Sequence, residues 1–197
     1  IAAMRAHTSI DYGINMLAFA GISIPQFWLA LLLIIVFAVV LGWLPAGGTA
    51  AAAGMTGFWE NGRYLVLPVI SLTIASLGTH TRYIRASMME ALRQDYIRTA
   101  RAKGLSEGQV VMGHALRNAM IPVVTVIALD FGYLFSGALI TETIFSYPGM
   151  GKLIFDSIMG NDFNLALIAL LFATGFTLSG NFLADVAYAA LDRRISL

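Results

Sequence analysis

No Asp, Glu, Lys or Arg stands between Asp11 and Glu60. That gap constrains the chain more than any other feature. Inside it lies MLAFAGISIPQFWLALLLIIVFAVVLGWL (16–44), which has no wet face of the kind a soluble amphipathic helix shows. About 20 apolar residues suffice to cross a bilayer. A backbone in lipid must close its own hydrogen bonds, as a helix or a closed barrel. Barrel strands alternate apolar with polar residues and this run does not, so it predicts a transmembrane helix near 20–43. Pro25 belongs in its first turns or at a kink, because a deeper proline removes a backbone bond.

Three more apolar runs follow: YLVLPVISLTIASLGTHT (64–81), NAMIPVVTVIALDFGYLFSGALIT (118–141) and FNLALIALLFATGFTLSGNFLA (163–184). They predict spans near 64–82, 117–141 and 163–185. The fold class expected is all-α: a polytopic transmembrane helical domain over residues 1–197 with about four spans. Composition agrees, with 58% hydrophobic and 12% charged residues, where a soluble domain carries about 25% charge. The absence of cysteine excludes disulfides, thiolate metal sites and a cysteine nucleophile. His7, His80 and His114 lack metal-ligand spacing, so no metal is expected. The sequence starts at Ile1 rather than Met, and we expect a truncated N-terminus.

Short loops rich in Lys and Arg face the cytoplasm. The connection between the second and third runs holds Arg82, Arg85, Arg93, Arg98, Arg101, Lys103 and Arg117; Arg5, Arg193 and Arg194 lie near the ends. The other two connections have only Arg63 and Lys152. Both termini and the 86–116 loop are therefore expected inside. AGGTAAAAG (46–54) reads as a flexible outer loop, and SYPGMGK (146–152) as an outer Pro-Gly turn that lacks the GxxxxGK[ST] phosphate loop.

The inner loop carries unusually complete local chemistry. Over 89–103, Met89, Leu92, Tyr96, Ile97 and Ala100 gather on one helical face, opposite Glu90, Gln94, Asp95, Arg98 and Arg101. Gly104 stands where a helix end wants a residue free to take positive φ. Ser106 and Gln109 have capping-box spacing, with Leu105 and Val110 placed as a hydrophobic staple. The residues alone predict a helix, a corner and a second helix. They leave docking of a protein partner and contact with anionic lipid both open.

At this loop the chain resembles the permease subunits of binding-protein-dependent ABC importers, in the dipeptide/oligopeptide/nickel branch. Their cytoplasmic signature has the form EAA-x3-G-x9-I-x-LP. RTARAKG (98–104) supplies Ala100 and Gly104, and HALR (114–117) supplies Leu116 nine residues on. Arg98, Thr99, His114 and Arg117 depart from the broad pattern, but 98–125 is similar to the branch's own RTARAKGLSE…HALRNAxIPVVT. SIPQFWLALLLI (23–34), LGWLPAGG (41–48), LPVISL (67–72), ETIFSYPGMGKLI (142–154) and LADVAYAALDRRI (183–195) extend the likeness, toward the B-type subunit.

The resemblance implies a six-span subunit of a bacterial or archaeal inner membrane, of which this chain lacks the first two spans. It implies transport of di- or oligopeptides or nickel chelates, with opines and sugars carried by near relatives. The chain itself would be no enzyme and bind no cofactor. ATP would be hydrolysed on separate ATP-binding cassette subunits, alongside a second homologous permease and an extracytoplasmic solute-binding protein that meets the outer face near Glu142 and Asp156. The loop (90–117) would be the coupling helix, with Arg98, Thr99, Ala100, Arg101, Ala102, Lys103, Gly104 and Leu105 as the ATPase-docking surface and Leu105 as an apolar knob. Asp130 and Gln26 are candidates for the translocation pathway, since a charge within a span faces a cavity or a partner. Gln26, Asn164 and Asn181 can equally hold helices together. Two other classes stay open: an intramembrane enzyme using Asp130, with Asp185 the only rival second aspartate, and a membrane scaffold whose basic loop meets lipid alone.

Overall fold

The computed structural model describes residues 2–135 and 138–191, and every regular element among them is helical. Arg193, Arg194 and two residues of the expected third span lie outside the described residues. After a short 3₁₀ turn (Ala2–Arg5) come α1 (Ser9–Ser23), α2 (Gln26–Leu33), α3 (Phe58–Leu92), α4 (Asp95–Ala102), α5 (Glu107–Gln109), α6 (Leu116–Phe135), α7 (Leu139–Ile144), α8 (Met150–Met159) and α9 (Phe163–Leu191). Helix α2 continues into a π-helical segment, Ile34–Val40, and a second one, Val110–Ala115, joins α5 to α6.

Two helical stretches, Glu107–Ile127 and Phe163–Val186, are by themselves long and apolar enough to cross a membrane. Ser9–Ser23 with Gln26–Val40, and Phe58–Ile74 with Ser76–Leu92, pass only as interrupted pairs, which gives up to four spans. Pro25 sits at the N-cap of α2, with φ −57° and ψ 133°, and α1 stops at Ser23 because a residue before proline avoids the α region. Pro68 and Pro122 lie inside α3 and α6, as membrane helices tolerate.

The chain divides into two compact units. One takes the described residues of 21–76 and 132–178. Its core is Leu29, Ala30, Leu33, Leu67 and Phe145. Of the tract expected to be a loose outer loop, 47–50 packs here while Ala46 and 51–54 stay exposed: Ala50 is fully buried, and the Gly48 N–H donates to the Phe145 carbonyl at 2.7 Å. A Cβ on Gly47 would overlap that same carbonyl. The Glu142 carboxylate accepts from the Ala138 N–H (3.0 Å) and the Lys152 N–H (2.7 Å), so it serves the N-termini of both α7 and α8. Gly149 and Gly151 leave it room, since a Cβ on either would press on that carboxylate. On α9, Ala166, Ala169 and Ala173 are buried while Leu167, Leu171 and Phe172 stay exposed, the inverse of a soluble core helix and right for lipid.

The second unit takes the described residues of 1–20, 77–131 and 179–197. Its core is Met88, Ala91, Ile97, Ala100, Val110, Val111, Ala115 and Ala119, with Ala3, Leu92, Leu105 and Leu116 packed against it. The inner loop thus has a small hydrophobic core of its own.

Candidate functional site

The single amphipathic helix expected over 89–103 is two helices. α3 ends at Leu92, Arg93 and Gln94 turn, and α4 begins at Asp95. The turn folds α4 back so that Ile97 and Ala100 meet Met88 and Ala91 in one core. Tyr96, expected on the apolar face, is exposed. Gln94 enters α4 in an extended conformation, and Asp95 lies in the first turn, where the helix dipole favours a negative charge.

The α4 end forms a Schellman motif. Gly104 has φ +77°; its N–H donates to the Arg101 carbonyl at 2.9 Å, and the Leu105 N–H reaches back to the Ala100 carbonyl at 3.4 Å. Ser106 then caps α5: its Oγ accepts from the Gln109 N–H, and its own N–H donates to Gln109 Oε1 at 3.0 Å. Both halves of the capping box are present. A bidentate ion pair closes the corner, with Arg101 Nε on Glu107 Oε1 (2.7 Å) and its terminal nitrogen on Oε2 (3.2 Å). That carboxylate raises the Arg101 pKa above its ordinary value. Backbone bonds, a reciprocal cap and a fork-shaped pair therefore fix the angle between α4 and α5.

Two polar pairs lie further along α3 in the same unit. Asp11, about 1% exposed, takes both Arg85 Nε and a terminal Arg85 nitrogen, each at 2.7 Å. His80 Nε2 lies 3.0 Å from Asp130 Oδ2, and the Asp130 side chain is 48% exposed. Ala91 and Ala119 share the loop core, and His80 and Asp130 each stand eleven residues beyond them, which fits one antiparallel register for α3 and α6.

A corner of this build, set between helices that cross a membrane, matches one sequence family over its whole length: residues 1–197 fit the binding-protein-dependent transport system inner membrane component. The chain belongs to this family. It is 40% identical over 195 residues to the oligopeptide transport system permease protein AppB of Bacillus subtilis, covering 99% of this chain and 62% of that protein. It is 40% identical over 213 residues to the di/tripeptide transport system permease protein DppB of Pseudomonas aeruginosa, with 99% and 63% covered. It is 43% identical over 180 residues to the glutathione transport system permease protein GsiC of Escherichia coli, with 91% and 55% covered. The chain thus spans about three fifths of the length of the curated relatives it matches.

Within this inner-membrane component the residues read as docking surface fall into two groups. Arg98, Thr99, Ala102, Lys103 and Gly104 are exposed on the outside of the corner. Ala100 is buried in the loop core and Leu105 is half-buried against it, so Leu105 holds the corner closed rather than standing out as a knob. Arg101 is exposed but engaged by Glu107. Arg98 makes only a loose 3.4 Å pair with Asp95 on a solvated face. Gln26 lies in the other unit, where its amide donates to the buried Thr141 hydroxyl at 2.9 Å. Asp156 pairs with Lys152 at 2.6 Å. The pairings that sequence reasoning did not find are Asp11 with Arg85 and Asn15, and His80 with Asp130. Asp11 and Asn15 share a helix face at i,i+4, the one local signal; Arg85 is 74 residues away.

Proposed function

We propose that this chain is the membrane-spanning part of an ATP-driven peptide importer and carries out no covalent chemistry itself. ATP would be hydrolysed on separate cassette subunits, which dock at the α4–α5 corner. A second homologous permease and an extracytoplasmic solute-binding protein complete the assembly, with both ends of this chain and the corner on the cytoplasmic side. No cofactor is assigned to the chain. The names of the relatives support peptides over nickel chelates as cargo. The observation that carries the reading is the corner itself, a rigid element with its own core whose outer face presents Arg98, Thr99, Ala102 and Lys103 to solvent. A stiff element can pass a partner's movement into the spans only if the partner binds the two transport states differently. Asp130, half-exposed on an apolar helix, is the leading candidate for the pathway, and Gln26, whose amide is engaged by Thr141, the lesser one. For an intramembrane hydrolase built on Asp130, the carboxylate's neighbour is an imidazole rather than the second carboxylate such chemistry needs.

The test exploits the absence of cysteine. Ala102→Cys, small and exposed, is placed in the complete protein in native membranes and treated with a short thiol cross-linker. Capture of an ATPase subunit, with a yield that changes on adding ATP, is expected. Cross-links to lipid or to a second copy alone would refute the docking reading and return the loop to a basic inner connection.

A further inference from the structure

The buried Asp11 carboxylate gathers more donors than any ion pair needs. Oδ1 accepts from Arg85 Nε (2.7 Å) and from Asn15 Nδ2 (2.7 Å). Oδ2 accepts from a terminal Arg85 nitrogen (2.7 Å) and from the His7 backbone N–H (2.9 Å). The Asn15 amide also donates to the Asp11 carbonyl at 2.7 Å. His7 holds a left-handed φ of +64°, which turns the chain so that its N–H meets the carboxylate. One side chain therefore joins three segments: the stretch leading from Ala2–Arg5, helix α1 and helix α3.

Two of those three segments also touch the coupling corner. On α3, Met88 and Ala91 lie within two turns of Arg85 and belong to the corner's core. Ahead of His7, Ala3 packs against the same core. The corner core, α3, Arg85, Asp11, His7 and Ala3 thus form a closed circuit of contacts within one compact unit. A displacement of the corner cannot be taken up by α3 alone, because the Asp11 carboxylate ties α3 to α1 by a bidentate fork. Such a fork fixes orientation as well as distance, and opening it leaves the buried Asp11 carboxylate without its ion partner, which is strongly unfavourable.

We propose that Asp11 and Arg85 are positioning residues for transport, which make helix α1 move with the coupling corner and so carry the ATPase stroke to a second helix. The proposal rests on the docking reading above, and its test keeps the two apart. In the complete, reconstituted importer carrying Ala102→Cys, three quantities are read for the unaltered pair, for Asp11→Asn and for Arg85→Lys. They are the cross-linking yield to the ATPase subunit, the ATP hydrolysed, and a radiolabelled dipeptide taken up.

Asp11→Asn keeps an acceptor for the His7 N–H but loses the charge. Arg85→Lys keeps the charge but loses the fork, since an ammonium cannot reproduce the planar pair. The expected result is an unchanged cross-linking yield with a fall in dipeptide taken up per ATP hydrolysed. The fall should lie between about twofold and thirtyfold, the span of coupling changes seen along such networks, and be smaller for Arg85→Lys. A merely structural role would lower uptake and hydrolysis together, in proportion to the amount of assembled complex, and leave their ratio alone. An unchanged ratio with intact cross-linking overturns the proposal. Where Asp11→Asn fails to assemble, Arg85→Lys decides by the same ratio. Absence of cross-linking with the unaltered pair is a distinct result, which removes the docking reading and this proposal with it.

Discussion

Replacing Gly104 by alanine isolates the backbone geometry of the corner from its packing. At φ +77° a Cβ on Gly104 would meet nothing within 4 Å, so no steric clash confuses the outcome. What remains is the cost of holding an L-residue in the left-handed region, about 1–2 kcal/mol. Part is offset by the smaller entropy that alanine loses on ordering, about 0.4–1 kcal/mol. The net is about 1 kcal/mol, or roughly a fivefold rise in the open fraction of the corner. Asparagine tolerates this region better and should raise it less than about twofold. Gly108 supplies the contrasting sign. Its Cβ also meets nothing within 4 Å, but it lies in α5, where alanine is favoured over glycine by up to about 1 kcal/mol. The assay uses Ala100→Cys, buried in the corner core, as the sole thiol of the complete protein, and measures its reaction with a soluble thiol reagent. Gly104→Ala should speed labelling about fivefold, and Gly108→Ala should slow it or leave it unchanged. Equal acceleration by both, or none by Gly104→Ala, would refute the reasoning that the positive φ is what the corner requires.

In the same labelling assay Ile97, fully buried, should respond to size: Ile97→Val costs about 0.5–1.5 kcal/mol and Ile97→Ala about 2–5 kcal/mol. Gly47→Ala places a Cβ against the backbone of Phe145, which cannot swing aside as a side chain can. Thermal unfolding in detergent should show a loss of about 1–3 kcal/mol or more, while Gly13→Ala, with open space around it, should show none. Glu142→Gln removes a charge facing two helix N-termini and should cost about 0.3–1 kcal/mol for each, with Glu142→Ala costing more because both N–H groups then lose their acceptor.

What the sequence disclosed was local. The Gly104 corner and the Ser106–Gln109 capping box are contracts between residues two to five apart, and both are legible in the letters. The break at Arg93–Gln94 is not, because no proline or glycine marks it between Met89 and Lys103. No helix breaker stands there, and the residues on either side of the break, Met88 and Ile97, belong to one buried core. In the tract 46–54, the packing of 47–50 was hidden for a related reason. Small residues suggest a loose loop, yet their smallness lets Gly47 and Ala50 fit closely within the unit that Phe145 anchors. Leu105 has the spacing of a staple and also the look of an exposed knob, and only the tertiary core decides for the first. The Asp11–Arg85 pair spans 74 residues, beyond any local pattern.

Asp11 and Asp130, two acidic side chains of this unit on apolar helices, differ in how they are satisfied, and that difference predicts different roles. Asp11 has its donors in place and almost no exposure, so nothing else is needed at that carboxylate. Asp130 meets His80 on one side, and nearly half of its side chain is open, 48%. A charge on an apolar helix with an open side calls for a water-filled path or a charged visitor. With a peptide as the proposed cargo, the cationic visitor would be its α-ammonium group. A hydrogen bond to a charged partner contributes about 1.5–3 kcal/mol, and exposure puts this site at the low end, so Asp130→Asn should lower uptake of a free dipeptide about tenfold. The N-acetylated dipeptide, which has no ammonium to offer, should be taken up as before. Asp130→Glu should retain much of the preference, since the charge stays and shifts by one methylene. If Asp130→Asn lowers the uptake of both peptides alike, the carboxylate holds the assembly together and does not read the cargo.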